Sequence, residues 1–330
     1  MRGETSEARV ERCAGLAAAL RARIAERIVG HGEAVDLVLT ALFAGGHALL
    51  EGVPGIGKTL LVRTLAEAID ARFQRIQFTP DLMPADVTGT TILHEADDGR
   101  REFRFRPGPV FAHVVLADEI NRATPKTQAA LLEAMEERQV THDGATRPLP
   151  APFFVLATQN PIEMEGTYPL PEAQLDRFLY KIVVGIPSER EIVEIVDRAA
   201  GTPAAGGKPV TTAEEVASAI ALTRDVVLTE NVRTLLARLV LATHPGDPSA
   251  PERVRRFVRY GASPRAALAL ALGLKARALL AGRAHAERAD LPALFLPALR
   301  HRIALNFEGE AEGLTPDGIL EEVLQAVPMR

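Results

Sequence analysis

The chain has 330 residues, 47% of them apolar and 25% charged, with one cysteine, no tryptophan and a net charge of −5. That balance argues against a disordered or membrane-spanning chain, and a lone Cys13 excludes an internal disulfide and any cysteine cluster for zinc or iron–sulfur chemistry. Residues 1–187 carry 20 Lys/Arg against 25 Asp/Glu, a balance of −5, and residues 188–330 carry 18 of each, a balance of zero, so neither half is a basic block for gripping nucleic acid.

The N-terminal MRGETSEARVER alternates acids and bases where a secretory signal needs a basic start and an apolar run, so a cytoplasmic protein without a membrane segment is expected. Two helices follow. Val10, Cys13, Leu16, Leu20 and Ile24 share one helical face, which also makes Cys13 a core residue, and a second helix from about Glu33 to Phe43 ends at Gly45-Gly46. The rhythm then changes to five short apolar runs of strand length: His47–Glu51, Phe73–Phe78, Val114–Ala117, Phe153–Ala157 and Leu179–Val184. Runs without alternation predict strands buried on both faces, as in a parallel sheet with helices on either side. The intervening helices include Thr59–Ile69 and Lys126–Arg138, the latter opened by Pro125.

Two hairpins interrupt the pattern, one over Thr90–Phe105 with Asp98-Gly99 as its turn, the other around Asp143-Gly144 before the strand at Phe153. Phe103 and Phe105 alternate with Arg104 and Arg106 and read as packing for the first hairpin. From Ile186-Pro187 onward the period is helical throughout, with loops at 199–209, 244–252 and 306–314 and a last helix capped by Thr315 and opened by Pro316. The expected division is therefore residues 1–187, with hairpins near 90–105 and 140–152, and an all-helical region 188–330.

Gly52-Val53-Pro54-Gly55-Ile56-Gly57-Lys58-Thr59 matches G-x-x-x-x-G-K-[ST] between a strand and a helix. Small residues let the backbone curl so that N–H groups face a phosphate chain, and the helix N-terminus adds partial positive charge. Lys58 suits the β- and γ-phosphates and the Thr59 hydroxyl suits Mg²⁺. A dinucleotide fingerprint fails because Lys58, Thr59 and Leu60 follow Gly57 without a third glycine, and Gly261-Ala262-Ser263-Pro264-Arg265 lacks the last glycine of a hydrolase elbow. Val114–Asp118-Glu119 is an apolar strand ending in two carboxylates, which reads either as an ordinary acidic strand end or, beside a phosphate loop, as a Mg²⁺ holder and a water-activating base. Asn160 ends another strand and is either a water or γ-phosphate ligand or half of an Asn-Pro turn. Arg265, in a first helical turn, opposes the helix dipole unless an anion lies near. The eight histidines show no metal-binding spacing, and the run Arg253, Arg255, Arg256, Arg259 and Arg265 reads as a solvated or interface face rather than a nucleic-acid patch.

Taken together, GVPGIGKT, QFTPDLMPADVTGT, VVLADEINRATPKTQAALLEAMEERQV, FFVLATQNPIEMEGTYPLPEAQLDRF and YGASPRA resemble a MoxR-type AAA+ ATPase over roughly residues 28–270. The resemblance implies a three-layer αβα P-loop NTPase core with a parallel five-stranded sheet, a C-terminal helical lid, and Mg-ATP hydrolysis between subunits of a homo-oligomeric ring, commonly a hexamer. It places the helix-2 insert and the pre-sensor-1 hairpin at the two hairpins above. Residue by residue it implies adenine packing at Ile28-Val29-Gly30, Walker A at Gly52–Leu60, Walker B at Asp118 and Glu119, sensor 1 at Asn160, an arginine finger at Arg177 and sensor 2 at Arg265. It also implies a protein client, with a von Willebrand factor A-type partner. A magnesium-chelatase-like motor subunit and a nucleic-acid-dependent motor are the competing readings. The second is disfavoured by the acidic hairpin tips, Glu95-Ala96-Asp97-Asp98-Gly99 and Thr141-His142-Asp143-Gly144.

Overall fold

The computed structural model describes residues 5–53, 55, 57–95, 101–160, 166–200 and 207–328. Pro54 and Ile56 of the glycine-rich loop, and the tip of the first hairpin with Asp98-Gly99, lie outside the described residues. In chain order the N-terminal part contains α1 (Ser6–Ala25), α2 (Gly32–Phe43), β1 (Ala48–Glu51), α3 (Lys58–Ala68), β2 (Phe73–Gln77), α4 (Pro84–Thr88), β3 (Gly89–Glu95), β4 (Arg101–Pro107) and β5 (Val114–Asp118). It continues through α5 (Pro125–Glu137), β6 (Gln139–His142), β7 (Ala145–Pro148), β8 (Phe154–Gln159), α6 (Glu172–Leu175) and β9 (Tyr180–Val183).

Five of these strands form a parallel sheet in the order β2-β5-β8-β1-β9. The period of two assigns alternate residues to opposite faces. Ala48, Leu50, Val114, Leu116, Phe154 and Leu156 join one apolar cluster, while Leu49, Val115, Ala117, Val155 and Ala157 join the other. The three central strands are thus buried on both sides, which is why their sequences run apolar without a break. β2 departs from the expectation of two-sided burial: at the sheet edge it leaves Gln74 and Arg75 exposed, because only one neighbour covers it.

Both hairpins form in the expected stretches, the turn of the first lying outside the described residues. β3 and β4 pair antiparallel with Leu93 opposite Phe103 and Thr91 opposite Phe105. β6 and β7 are joined by Asp143 and Gly144, both in the left-handed region, φ 50° and 73°, which a two-residue hairpin turn demands. The hairpins lean on each other. Thr91 Oγ1 bonds Asp143 and lies 3.1 Å from His142 Nε2, and the Phe105 ring meets Phe111, His142 and the Arg147 guanidinium, the last 4.0 Å from its centroid. Phe105 is therefore packing, as expected, but Phe103 is 80% exposed and packs nothing under it: the expectation fails there because the hairpin outruns the surface that covers Phe105.

The C-terminal part contains α7 (Glu189–Ala200), α8 (Ala213–Asp225), α9 (Glu230–Leu241), α10 (Glu252–Phe257), β10 (Val258–Tyr260), α11 (Pro264–Leu280), α12 (Leu291–Leu299), β11 (Ala304–Leu305), α13 (Phe307–Ala311) and α14 (Pro316–Ala326). Thr315 caps α14 by accepting from the Gly318 N–H at 3.2 Å, with Pro316 at the first position. Two corrections apply to an all-helical reading. β10 and β11 form a short antiparallel ladder, and α13 occupies part of the expected 306–314 loop, opened by Asn306 as its cap. Of the arginine run, Arg253 pairs with Glu322 at 2.5 Å and Arg256 with Glu308 and Glu312, while Arg255 donates to the Pro248 carbonyl and Arg259 lies over the Tyr260 ring.

Among the described residues no gap in the apolar packing separates the two parts. One cluster runs from α1, α2 and α3 through the sheet face into α8–α12 and α14. Gly273 of α11 lies against the buried Tyr180 of β9 so closely that a Cβ there would fall well inside contact of the hydroxyl. Buried His47 locks the start of β1. Its Nδ1 accepts from the Val155 N–H at 3.0 Å and its Nε2 donates to the Met135 carbonyl at 3.2 Å. Burial, with Arg138 nearby, pushes the His47 pKa down from 6.5 to about 3, and burial holds His301 low as well.

Gly273→Ala removes a helix-weakening glycine, which alone favours the helix by about 1 kcal/mol. Overpacking against Tyr180 outweighs it, so the variant is expected to lose about 1–3 kcal/mol in a urea titration; a raised midpoint would show that α11 can slide. The histidines set a pH dependence. Their folded pKa values lie below the unfolded one, so their contribution is complete above pH 6.5 and is lost as pH falls, by about 1.4 kcal/mol per unit for His47 alone. Urea midpoints should therefore drop between pH 7 and 5, and His47→Gln should flatten the slope; equal slopes would mean that His47 titrates normally.

Candidate functional site

Because the sheet is parallel, β1, β5 and β8 deliver their C-terminal ends to the same edge, with β8 lying between the other two. Adjacent strands are about 4.8 Å apart, so these three ends fall within about 10 Å of one another. Gly52, Asp118-Glu119 and Asn160 follow directly from those ends. The structure thus gathers the glycine-rich loop, both carboxylates and the amide, which the sequence spreads over more than a hundred positions.

The loop leaves β1 and turns into α3 through Gly55 and Gly57, both left-handed at φ 87° and 83°, with open space where a side chain would stand. α3 begins without a side-chain cap and without an acid in its first turn. Its first N–H groups are therefore free to meet an anion, and the helix dipole favours one there. Lys58 folds over the loop, donating from Nζ to the Gly52 carbonyl at 2.6 Å and to the Gln159 carbonyl at 3.5 Å. Partial burial lowers its pKa, opposed by the negative charges of Asp118, Glu119 and Glu51. Thr59 is half-buried on the same turn and Leu60 is exposed beside it.

Thr158 holds the two carboxylates. Its hydroxyl donates to Asp118 Oδ1 at 2.6 Å and accepts from the Glu119 N–H at 2.9 Å. Glu119 sits at φ 56°, ψ 49°, a left-handed conformation that costs a non-glycine residue about 1–3 kcal/mol. Its carboxylate is fixed through Oε2, which accepts from Gln77 Nε2 at 2.9 Å and from Arg122 Nη1 at 2.9 Å. Asp118 Oδ2 accepts from Arg75 at 3.1 and 2.6 Å. Asn160 is 7% exposed at the end of β8. Thr158 was legible in principle, two residues before Asn160 and so on the same strand face. Arg75 and Gln77 were not, because nothing local sets the register of Gln77 against Asp118.

Ile28 and Val29 are buried between α1 and α2, and Gly30 is left-handed at φ 68° with the Glu191 carboxylate against it. Glu191 belongs to the first turn of α7, which follows β9, so this niche borders the same sheet edge. Its Oε2 accepts from the Ser188 N–H and hydroxyl, both at 2.7 Å, which closes a capping box and holds the carboxylate below its usual pKa.

Arg177 and Arg265 lie elsewhere. They border a 210 Å³ pocket with Gly46 and Leu179, the residues that lead into β1 and β9. That is the opposite edge, about 20 Å from Gly52 at the rise of an extended strand. Within the chain the anion beside Arg265 is the Glu136 carboxylate, 2.7 Å from its Nη2, and Arg177 pairs with the same carboxylate at 3.1 Å. A larger cavity of 510 Å³, between α1 and α8 and lined by Cys13, Leu16 and Leu222, includes none of the residues named for the site.

Hard oxygen donors at Thr59 and Asp118 suit Mg²⁺ shared with phosphate oxygens and water. Among the described residues no group of three or more His, Cys, Asp or Glu side chains could hold a metal by itself. No helix among them is long and apolar enough to cross a membrane.

Residues 47–180 match the ATPase family associated with various cellular activities (AAA), and residues 250–323 match the AAA lid domain. Chaperone MoxR1 of Mycobacterium tuberculosis is 43% identical over 92% of this chain and 79% of its own length. YeaC of Bacillus subtilis is 45% identical over 91% and 90%. Protein MoxR of Methylorubrum extorquens is 34% identical over 94% of each. The crystal structure of an ATPase from Cytophaga hutchinsonii superposes with a TM-score of 0.90 at 39% identity, covering 97% of this chain and 96% of that one.

Thr158→Val keeps the side-chain volume and strands the Glu119 N–H. We expect a loss of about 1–3 kcal/mol of unfolding free energy by urea titration; an unchanged midpoint would mean that the left-handed Glu119 is held by its side chain alone.

Proposed function

This chain belongs to the MoxR-type AAA+ ATPases and hydrolyses ATP, and from that premise we propose that two copies of it complete each active site. The observation that carries this reading is the separation of charges across the sheet. Lys58, Thr59, Asp118, Glu119 and Asn160 share the C-terminal edge, while Arg177 and Arg265 project at the other. Cations about 20 Å from the loop cannot serve it within one chain. A head-to-tail contact brings one copy's arginines to the next copy's loop, and such heterologous contacts close into a ring. We take the ring to be a hexamer, as the family resemblance implies.

Within a site, the Gly52–Leu60 loop and the first turn of α3 hold the phosphates, with Lys58 adding positive charge. Ile28, Val29 and Gly30 flank the adenine. Thr59 and Asp118 would hold Mg²⁺, which would supply positive charge to offset that of the phosphates. Glu119, fixed through one oxygen by Gln77 and Arg122, turns the other to the attacking water and takes its proton. Asn160 orients that water or the γ-phosphate without adding charge. Arg177 and Arg265 of the neighbouring copy offset the negative charge that develops in transfer.

In this reading residues 1–187 form the nucleotide core and residues 188–330 the lid. The relative named as a chaperone supports an action on a protein, and the family resemblance points to a client or a von Willebrand factor A-type partner in the cytoplasm. The surface supports a protein over a nucleic acid as the object. Leu93 and Phe103 face solvent as a cross-strand pair on the first hairpin, while Arg253 and Arg256 are paired with carboxylates.

Three substitutions test the assignment. Lys58→Ala should abolish nucleotide binding in a fluorescent-ATP titration. Glu119→Gln should bind ATP normally with turnover lowered by at least about 10²-fold, and it is the variant with which to capture a client. Arg177→Ala should bind normally yet lose about 10³-fold or more in phosphate release; wild-type turnover in that variant would remove the arginine from the site.

A further inference from the structure

We infer that Glu136 is the positioning residue that aims Arg177 and Arg265 together at a neighbouring copy's nucleotide. The inference rests on the two-copy site proposed above and adds a residue to it. Arg177 follows α6 and Arg265 lies in the first turn of α11, so the two guanidiniums reach this edge from separate parts of the chain. Left to themselves, two like charges converging on one point repel, and Arg265 also opposes the positive end of its own helix. Glu136, on the last turn of α5, stands between them. Its Oε2 is 3.1 Å from Arg177 Nη2 and its Oε1 is 2.7 Å from Arg265 Nη2. One carboxylate thereby pairs both cations, using a single nitrogen of each. A guanidinium carries five N–H donors, so most of each fork remains for phosphate oxygens.

The other carboxylate of the cluster is committed elsewhere. Asp176 Oδ1 pairs with the buried Arg302 at 2.7 Å, and its Oδ2 accepts from the Ser263 hydroxyl at 2.9 Å, which caps α11. Arg302 in turn donates to the Asp176, Phe178 and Leu179 carbonyls and is held in the fold. Asp176 stands 4.0 Å from Arg265 Nη1, at the outer limit of an ion pair. Asp176 and Arg302 therefore anchor the start of α11, and Glu136 is left to set where the half-buried Arg177 and the exposed Arg265 guanidiniums point. Because one arginine comes from the core and the other from α11, Glu136 also ties the aim of both to the placement of that helix.

A mutant cycle tests this in the assembled protein. Glu136→Gln keeps size and polarity but removes the charge. Its ATP turnover should fall about tenfold, equivalent to about 1.4 kcal/mol, while ATP affinity, set at the opposite edge, and the melting temperature stay unchanged. In the Arg177→Ala/Arg265→Ala background the same substitution should change turnover no further, and Glu136→Asp, which restores the charge, should recover part of the wild-type rate. Wild-type turnover for Glu136→Gln, or an equal loss in the arginine-free background, overturns the positioning role. If the double arginine variant itself turns over at the wild-type rate, the two-copy reading fails first, so the two failures are distinguishable.

Discussion

In a parallel sheet every strand ends on the same edge and begins on the other, and the molecule is organised by that asymmetry. The direction of β1, β5 and β8 follows from burial: strands with apolar residues on both faces need helices on both sides, and the helical crossovers between them keep the strands parallel. The glycine-rich loop, the paired carboxylates and Asn160 then share an edge without any further device. The segments that enter the strands, including Gly46 and Leu179, share the opposite edge with Arg177 and Arg265. A single chain is polar in this sense, presenting the glycine-rich loop and paired carboxylates at one edge and paired cations at the other, the polarity on which the proposed head-to-tail contact rests.

Precision at the holding edge comes from neutral and cationic partners fixed by strand register. Thr158 joins the ends of β5 and β8 through one hydroxyl, and Gln77 reaches Glu119 from the edge strand β2. The left-handed backbone of Glu119 is sustained by these contacts, through its N–H by Thr158 and through its carboxylate by Gln77. The same strand β8 is preceded by the β6–β7 hairpin, on which Phe105 of the β3–β4 hairpin rests.

Electrostatics at the arginine edge divides into two tiers. Arg302 is almost wholly buried, its pKa pushed down by burial despite the Asp176 partner, and its carbonyl bonds tie the segment before β9 to the end of α12. Arg177, half-buried, and Arg265, exposed, are the outer tier and share Glu136. The apolar cluster continuous between the sheet and α11, with Tyr180 against Gly273, keeps that helix close enough for the sharing.

The amino-acid sequence by itself determined whatever depends on neighbours along the chain. The glycines before Lys58, the Asp143-Gly144 turn, the Thr315-Pro316 helix start and the unbroken apolar strands each state their structure within a few residues, since turn, cap and burial preferences are local. The family likeness was legible on the same short motifs. Only the tertiary structure decided which distant groups meet. It put β2 at an edge, opposed Gln77 to Asp118, paired the two- and three-residue strands β11 and β10, and set Glu136 against Arg265 from 129 positions away. It also left Phe103 uncovered while Phe105 was packed, although the two occupy equivalent places in one alternation. The physical reason is the same in each case: alternation and helical periodicity specify which face of an element is apolar, while register, edge position and the partner of a long charged side chain are settled by packing among elements far apart in the chain.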